Sequence, residues 1–410
     1  MAFFPQGVNQ KNIQWQYPTI PNAPKILNEF CALSLTYRRD GFVTMLAPLR
    51  DYLRPKDPAS SRLLGTIKEC YFARLSGDIP PGKPGFEEAR WITSEDINIE
   101  HLLDVFTTID GTSTEVWDAC DRFMAQLHWH KSRPVTLGPK IEALPDHHPS
   151  KAQCLFDFSR LFDSVGNFVE RKRLLNCALE LWRGQGDDFN AAQTLTNLSN
   201  ANARMGLYEE GIQQAEEASR VFEWLGDPVQ QAMSLGNLAL LLLWKEQLNA
   251  AEEMALRAID LLPKEGEQYR VHYCHRVLGI TYQYKGETEK AVHHMEIALR
   301  IASALNQAGN LCWAHAILAQ LFIDQGRLSD AQIHLEHAKT LAPDRTYLLA
   351  CVSLQRATLW YRQDMFGEAK TEALVALGVF ERLGISKTVG PLKHFKVLQV
   401  RKGHGLFEGL

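Results

Sequence analysis

The sequence has little that marks a membrane or secreted protein. Its longest apolar run, Leu238 to Trp244, has seven residues, whereas a membrane span needs about 20. Its eight cysteines are scattered and include no C-x-x-C pair, which argues against a disulfide framework and a zinc knuckle. The apolar start, Ala2 to Phe4, lacks the basic region of a secretory signal. These absences predict a soluble cytoplasmic protein with reduced thiols.

An excess of basic charge is also missing. The chain of 410 residues carries 44 Lys and Arg against 48 Asp and Glu, a formal net charge of -4. A dedicated nucleic-acid or membrane-surface binder shows a basic excess or stripe, so neither nucleic acid nor membrane is a predicted partner. At roughly 100–200 residues per domain, the length allows either several domains or one repeat array with an attachment.

Motifs for catalysis and cofactor binding are absent as well. No G-x-x-x-x-G-K-[ST] phosphate loop occurs, and Gly82-Lys83 is followed by Pro84, which has no N–H for a phosphate. No G-x-S-x-G nucleophile elbow occurs either. His272 and His275 have the i, i+3 spacing of two metal ligands, but His275 takes a packing position of the repeat described next. The sequence therefore predicts no enzyme, no cofactor and no metal site.

What the sequence does contain is a repeat. One short turn pattern starts six times: the first five starts are 40 residues apart without a slip, and the sixth follows after 38. Two of the starts are degenerate because they lack glycine. The six starts are Gly166, Gly206, Glu246, Gly286, Gly326 and Asp364.

Other residues keep the same register. An alanine stands twelve positions after every start, at Ala178, Ala218, Ala258, Ala298, Ala338 and Ala376. Eight positions before the middle starts stands a leucine, at Leu198, Leu238, Leu278 and Leu318. Two antiparallel helices joined by a tight turn have this pattern, with small residues where the helices approach closely and large ones between neighbouring units. One unit cannot bury its own apolar face, so several must stack.

The order of turn, aromatic and small residues resembles the tetratricopeptide repeat (TPR), whose minimal unit has about 34 residues. The additional residues follow the second helix, at Gly186-Asp187 and Gly226-Asp227, and units of this length are similar to those of kinesin light chains and STAND-class signalling ATPases. The resemblance covers residues 151–385 and implies an all-α fold, a right-handed TPR superhelical solenoid of about six helical hairpins. A Sel1-like or HEAT-like array of helical hairpins is the alternative.

The first half of the chain has a different pattern. Residues 33–37 and 42–46 alternate in hydropathy around the turn 38–41, which predicts a β-hairpin. Short helices are predicted on either side, over 24–30 and 48–53. Helix, hairpin and helix form the second half of a winged helix, so a winged-helix DNA-binding regulator is one alternative function. Little excess charge accompanies the segment, which argues against DNA.

Two stretches of this half, 37–53 and 88–104, resemble NLR-like STAND proteins of mushroom-forming fungi. In that family this part follows a P-loop ATPase module (NB-ARC or NACHT) and precedes a TPR sensor array. Because the phosphate loop is missing here, the resemblance implies the C-terminal half of such a protein without its NTPase, as a truncated paralogue or an incomplete gene model. A nucleotide-dependent signalling ATPase that extends beyond this chain is a second alternative function.

The predicted organisation has five segments: an irregular N-terminus over 1–23, a winged-helix-like fragment over 24–58, a helical linker over 59–150, the TPR array over 151–385 and a C-terminal tail over 386–410.

In TPR arrays the first helix of each unit lines the concave surface, and the resemblance carries this property to nine positions here. They are Arg160, Asn200, Arg204, Trp244, Arg276, Tyr284, Gln320, Tyr361 and Arg362. Arginine and asparagine can bind the backbone and carboxylates of an extended peptide, and the aromatic residues can hold its apolar side chains. The predicted function is a non-catalytic protein–protein interaction scaffold or ligand-sensing module with a protein or peptide partner in this groove.

Overall fold

The computed structural model describes residues 4–13, 20–46, 61–75, 77, 79, 83, 85–130, 133, 135–263, 265–342 and 347–382. The chain divides into two compact units, and the boundary falls between Leu161 and Phe162. In the described residues all eight cysteines are unpaired. No helix among these residues has the length and apolar character that a membrane crossing requires.

The first unit contains a small antiparallel sheet of three strands, in which the third strand along the chain lies between the other two. The predicted hairpin is present as β2 (Thr36–Arg39) and β3 (Phe42–Met45), joined at Asp40-Gly41, where both residues have positive φ as a tight hairpin turn requires. The region predicted to be irregular contributes β1 (Val8–Asn9), which pairs with β3. Two residues are too few to show an alternating pattern, so the sequence did not indicate this strand.

Helices make up the rest of this unit. The helix predicted over 24–30 is present as the longer helix α1 (Ala23–Ala32), and the helix predicted over 48–53 lies outside the described residues. After a 3-10 turn (Glu88–Trp91), the longer helices pack on one another. The helices are α1 (Ala23–Ala32), α2 (Ser61–Phe72), α3 (Ile92–Ile109), α4 (Thr114–His130) and α5 (Gly138–Glu142).

A buried polar network ties the N-terminal segment to α3. The Glu95 carboxylate is fully buried, and it accepts hydrogen bonds from the side-chain amides of Asn12 and Asn98, each at 2.8 Å. Asn98 also donates to the carbonyl of Gly7 at 2.8 Å, so its amide joins the two segments. Because buried polar groups are costly unless they are hydrogen-bonded, this network specifies where the N-terminal strand lies.

Twelve helices follow from Lys151 to Arg382, two for each predicted repeat, and the predicted all-α TPR-like solenoid is confirmed. In the second unit, consecutive helices pack as antiparallel pairs. The twelve are α6 (Lys151–Val165), α7 (Phe168–Gln185), α8 (Asp188–Met205), α9 (Tyr208–Leu225), α10 (Pro228–Trp244), α11 (Leu248–Leu261), α12 (Gln268–Lys285), α13 (Thr288–Ala304), α14 (Ala308–Asp324), α15 (Leu328–Leu341), α16 (Tyr347–Arg362) and α17 (Phe366–Arg382).

The small residues of the repeat lie at the helix contacts. The six alanines that stand twelve positions after the turn starts are all 0% exposed. At Gly279 the approach is closer still, since a Cβ there would lie 2.5 Å from the sulfur of Met295. Arg171 takes one of the positions filled elsewhere by alanine or glycine. It is buried, pairs with Asp163 and donates to Asn200 Oδ1 at 3.2 Å.

All six turn starts adopt the left-handed backbone conformation, including the two without glycine. Glu246 has φ 64° and Asp364 has φ 61°, close to the 77° of Gly286. Left-handed backbone costs a residue with a Cβ about 1–2 kcal/mol, and aspartate tolerates it better than glutamate does. The third repeat therefore carries a local strain that the fourth repeat avoids.

Replacing Glu246 with glycine is expected to raise the free energy of unfolding by about 0.5–1 kcal/mol, because relief of the strain exceeds the entropy lost on ordering glycine. The matched variant, Gly286→Ala, places a Cβ in open space at the equivalent turn, so it should lower stability by about 1 kcal/mol. Urea unfolding followed by circular dichroism measures both. A shift of both variants in the same direction would show that backbone conformation does not decide the stability of these turns.

Candidate functional site

A pocket opens on one side of the second unit, lined by side chains from the first helices of repeats two to six: α8, α10, α12, α14 and α16. Its free volume is about 80 Å³. Stacking repeats at a constant interval places equivalent positions side by side, which is why Arg204, Trp244 and Tyr284, spaced by 40 residues, all reach it.

Two arginines and one tryptophan form the polar end of the pocket. The guanidinium carbon of Arg204 lies 6.0 Å from the centre of the Trp313 ring and 5.5 Å from that of Tyr347. That of Arg276 lies 5.9 Å from Trp313 and 5.0 Å from Tyr273. Both cations therefore rest on the same indole, an arrangement that cation–π attraction favours.

Neither of these arginines forms an ion pair with a carboxylate in the described part of the chain. Arg276 is 7% exposed, and Arg204 Nε is buried without a hydrogen-bond partner. Asp163, whose negative charge acts on Arg204, is already paired with Arg171. Burial lowers the pKa of the Arg276 guanidinium, and the neighbouring charge of Arg204 lowers it further.

The other end of the pocket is apolar and aromatic. The rings of Trp244 and Tyr284 meet edge to face at 6.1 Å, and Ile280 and Ile317 are buried beside them. Burial raises the pKa of the Tyr284 hydroxyl, so it stays a neutral hydrogen-bond donor at physiological pH. The pocket thus offers cationic donors at one end and an apolar surface at the other.

The exposed carboxylate of Asp324 lies beyond the pocket lining. It accepts hydrogen bonds from two lining amides, Gln320 at 3.0 Å and Gln283 at 3.2 Å. These bonds hold the two glutamines in place and leave their remaining polar groups for a ligand.

Of the nine residues predicted for the groove, the structure brings five together in this pocket. They are Arg204, Trp244, Arg276, Tyr284 and Gln320.

The other four predicted residues lie outside the pocket lining. Arg160, in the first unit, pairs with Asp157 at 2.7 Å. Asn200 accepts a hydrogen bond from Arg171, and Tyr361 packs edge to face on Phe366 at 5.6 Å. Arg362 is the exposed last residue of its helix.

Sequence reasoning missed two residues that shape the polar end, Trp313 and Tyr347. Both stand in the N-terminal parts of their helices, whereas most of the predicted positions stand nearer the C-terminal ends. A partial signal was present, because Trp313 stands 40 residues after Tyr273, which touches Arg276. The 40-residue period relates these two rings. It does not show that Arg204 of repeat two contacts Trp313 of repeat five and Tyr347 of repeat six.

Histidines form a second recurring cluster, which we call the histidine pairs. His275 Nδ1 lies 2.9 Å from His294 Nδ1, and His315 Nδ1 lies 3.0 Å from His334 Nδ1, so the two pairs occupy equivalent positions of repeats four and five. The described residues contain no group of three or more side chains suited to hold a metal ion. His275, whose i, i+3 spacing from His272 is that of two metal ligands, takes part here in an imidazole–imidazole hydrogen bond.

Comparison with solved structures identifies the fold. The chain is similar to the APC/C hetero-tetramer Cut9–Hcn1, with a TM-score of 0.50 and 17% identity over 85% of this chain and 58% of that chain. It is also similar to a Rap protein complexed with competence and sporulation factor, with a TM-score of 0.54 and 12% identity over 85% and 99%. A STAND protein with a TPR sensor from Pyrococcus horikoshii gives 0.49 and 13% over 98% and 62%.

The chain spans less than two thirds of the first and third of these structures. No protein-family model matches the chain, and no curated protein is significantly similar to it in sequence. At such identities the similarity establishes a TPR-like fold and leaves the ligand open.

Proposed function

We propose that this protein is a non-catalytic interaction scaffold that binds a peptide segment of a partner protein in the pocket of its TPR-like array. The observation that carries the proposal is the convergence of five successive first helices on one pocket with cationic and aromatic lining. Pockets with a mostly apolar lining and a few placed polar groups are typical ligand sites.

The size of the pocket fits a side chain better than a folded surface. Its volume of about 80 Å³ is near half that of an engineered cavity of about 150 Å³ that binds benzene. A side-chain group of a few heavy atoms would fill the pocket, and the flanking peptide would lie along the first helices of the repeats. This favours an extended segment anchored by one or two side chains.

We further propose that the array acts as the ligand sensor of an NLR-like STAND signalling protein. This proposal is supported by the sequence resemblance of 37–53 and 88–104 and by the long repeat unit. Reading the gene upstream of Met1 tests it: an in-frame phosphate loop supports the sensor role, and a stop codon without an upstream exon contradicts it.

The peptide-binding proposal is tested by selecting peptides from a random twelve-residue phage library on the full chain and measuring Kd by fluorescence anisotropy. Trp313→Ala is expected to weaken binding about 30-fold, since a tryptophan in the centre of a binding site contributes about 2 kcal/mol or more. Trp224→Ala is the matched control, because Trp224 is 74% exposed and does not line the pocket. Equal binding by both variants, with native circular dichroism, would place the peptide elsewhere; a library without binders would contradict the proposal.

A further inference from the structure

We infer that the bound segment presents a carboxylate, which is held between Arg204 and Arg276 on the face of Trp313. The inference rests on the proposed function and specifies the chemistry of its ligand. The partner is accordingly a protein with an accessible acidic segment, anchored through an Asp or Glu side chain or through its C-terminus.

The buried arginines of this chain differ in their partners. Arg160 is 8% exposed and pairs with Asp157, and Arg171 is 5% exposed and pairs with Asp163. Arg276 is as deeply buried as these two and has no carboxylate partner in the described residues. Within the described residues the array therefore supplies an ion-pair partner to the buried arginines of its first repeat and none to those of the pocket, where Asp163 acts on Arg204 without pairing with it.

Holding the two pocket arginines away from water without an ion-pair partner costs free energy. Removing a cation from water is unfavourable unless an anion or hydrogen bonds replace the lost hydration. The rings of Trp313, Tyr347 and Tyr273 offset part of this cost, and the Tyr347 hydroxyl oxygen accepts a hydrogen bond from the Arg204 guanidinium. Nε of Arg204 still has no partner. An incoming carboxylate would meet donors that are already desolvated and fixed in place.

The two guanidinium groups also share part of their surroundings. Their carbons are 6.0 and 5.9 Å from the centre of the same Trp313 ring and both residues line one pocket, so an anion that enters it approaches both cations. A carboxylate has two oxygens for such bonds, and charge-assisted bonds to arginine are the strong ones. Ile280 and Ile317 are buried in the same lining, so the apolar part of the ligand next to the acid would meet an apolar surface.

The ligand chemistry is tested with four capped tripeptides, titrated into the full chain and followed by intrinsic tryptophan fluorescence. They are acetyl-Leu-Asp-Leu-amide, acetyl-Leu-Asn-Leu-amide, acetyl-Leu-Asn-Leu with a free C-terminus, and acetyl-Leu-phosphoSer-Leu-amide. At least one carboxylate peptide is expected to bind ten-fold or more tighter than the Asn amide, and the tighter one identifies the side-chain or the C-terminal source.

Equal binding of the Asp and Asn amides would overturn the inference while leaving a peptide pocket in place. Tightest binding of the phosphoserine peptide would also overturn it. If none of the four tripeptides binds while library-selected peptides still do, the carboxylate anchor is rejected. If neither the tripeptides nor the library peptides bind, the proposed function itself is rejected.

A second measurement needs no ligand. The double variant Arg204→Met and Arg276→Met removes two unpaired charges and keeps apolar bulk, so its Tm is expected to rise by about 2–4 °C. Arg160→Met is the matched control, and its Tm is expected to fall because Asp157 loses its partner. A double variant whose Tm falls as far as that of the control would show that the pocket arginines are already neutralised, which overturns the inference.

Discussion

Replacing Phe222 with alanine is expected to lower the free energy of unfolding by about 3–5 kcal/mol, the range for losing a large aromatic core residue. Phe222 is fully buried near the end of α9, where its ring meets that of Phe189 edge to face at 5.7 Å. Its carbonyl also accepts the backbone N–H of Asp227 at 2.9 Å. The side chain thus packs where the second repeat ends and the third begins.

Trp224, two residues further on, provides the control. It is 74% exposed on the same helix, so Trp224→Ala should change stability by less than about 0.5 kcal/mol. Because a solenoid is stabilised by contacts between neighbouring repeats, hydrogen exchange should show the loss first in repeats two and three. Uniformly faster exchange from repeat two to repeat six would mean that the array unfolds as one cooperative block.

The histidine pairs lead to the second large effect, a loss of stability in acid. Burial lowers the pKa of His275 and of His315 to about 4, and each pair contains one imidazole that must accept a hydrogen bond through an unprotonated Nδ1. Two protonated rings in a pair would place two N–H groups against each other. Other charged groups that act on the pairs are His293, His337, Glu252, Lys290, Glu296, Arg300, Arg327 and Asp330.

The direction of the pH effect follows from these pKa values. An unfolded histidine takes up its proton near pH 6.5, whereas folded His275 and His315 take it up near pH 4. Between these values the unfolded chain binds more protons, so stability is complete above pH 6.5 and falls as the pH is lowered towards 4. Because the rings are partly exposed, the loss is roughly 1–2 kcal/mol per pair after discounting for solvent screening.

The variant His275→Leu with His315→Leu should retain its stability in acid. Leucine occupies the equivalent positions of the first three repeats, at Leu155, Leu195 and Leu235, so the repeat accepts it there. Urea unfolding at pH 7.5 and pH 5 measures the effect: the wild type should lose about 2 kcal/mol more than the variant. His147→Leu, which removes one exposed histidine, should behave like the wild type. Equal acid sensitivity of wild type and double variant would assign the effect to other groups.

The repeat architecture was predictable because local backbone geometry leaves a trace in every unit. A left-handed residue closes each hairpin, and four of the six are glycine, so a strict 40-residue period reveals the turns. The period also locates Glu246 and Asp364, which composition alone would miss. By contrast, the strand Val8–Asn9 depends on pairing with a distant hairpin, and two residues carry no pattern of their own.

The pocket was predictable only in part, because the sequence pattern of one repeat does not show the contacts between distant repeats. Each first helix shows from its own register which residues face inward, and this is enough to choose Arg204 and Arg276. That both meet Trp313 depends on the curvature of the whole array, which is the sum of small rotations between successive repeats. The absence of an acid partner among the described residues is likewise a property of the assembled pocket, because nothing in one repeat shows which carboxylates the others supply.

The contact between Phe168 and Tyr347 has a consequence of its own. These rings, at the start of α7 and of α16, meet edge to face at 6.5 Å, although four repeats separate them along the chain. The two ends of a linear array need not touch, but here a residue of the first repeat contacts a residue of the sixth. A contact between residues so far apart in sequence forms slowly during folding. Tyr347 also lines the pocket, so this contact joins the first repeat to the pocket wall. The distance between these two rings therefore measures how close the first repeat lies to the sixth.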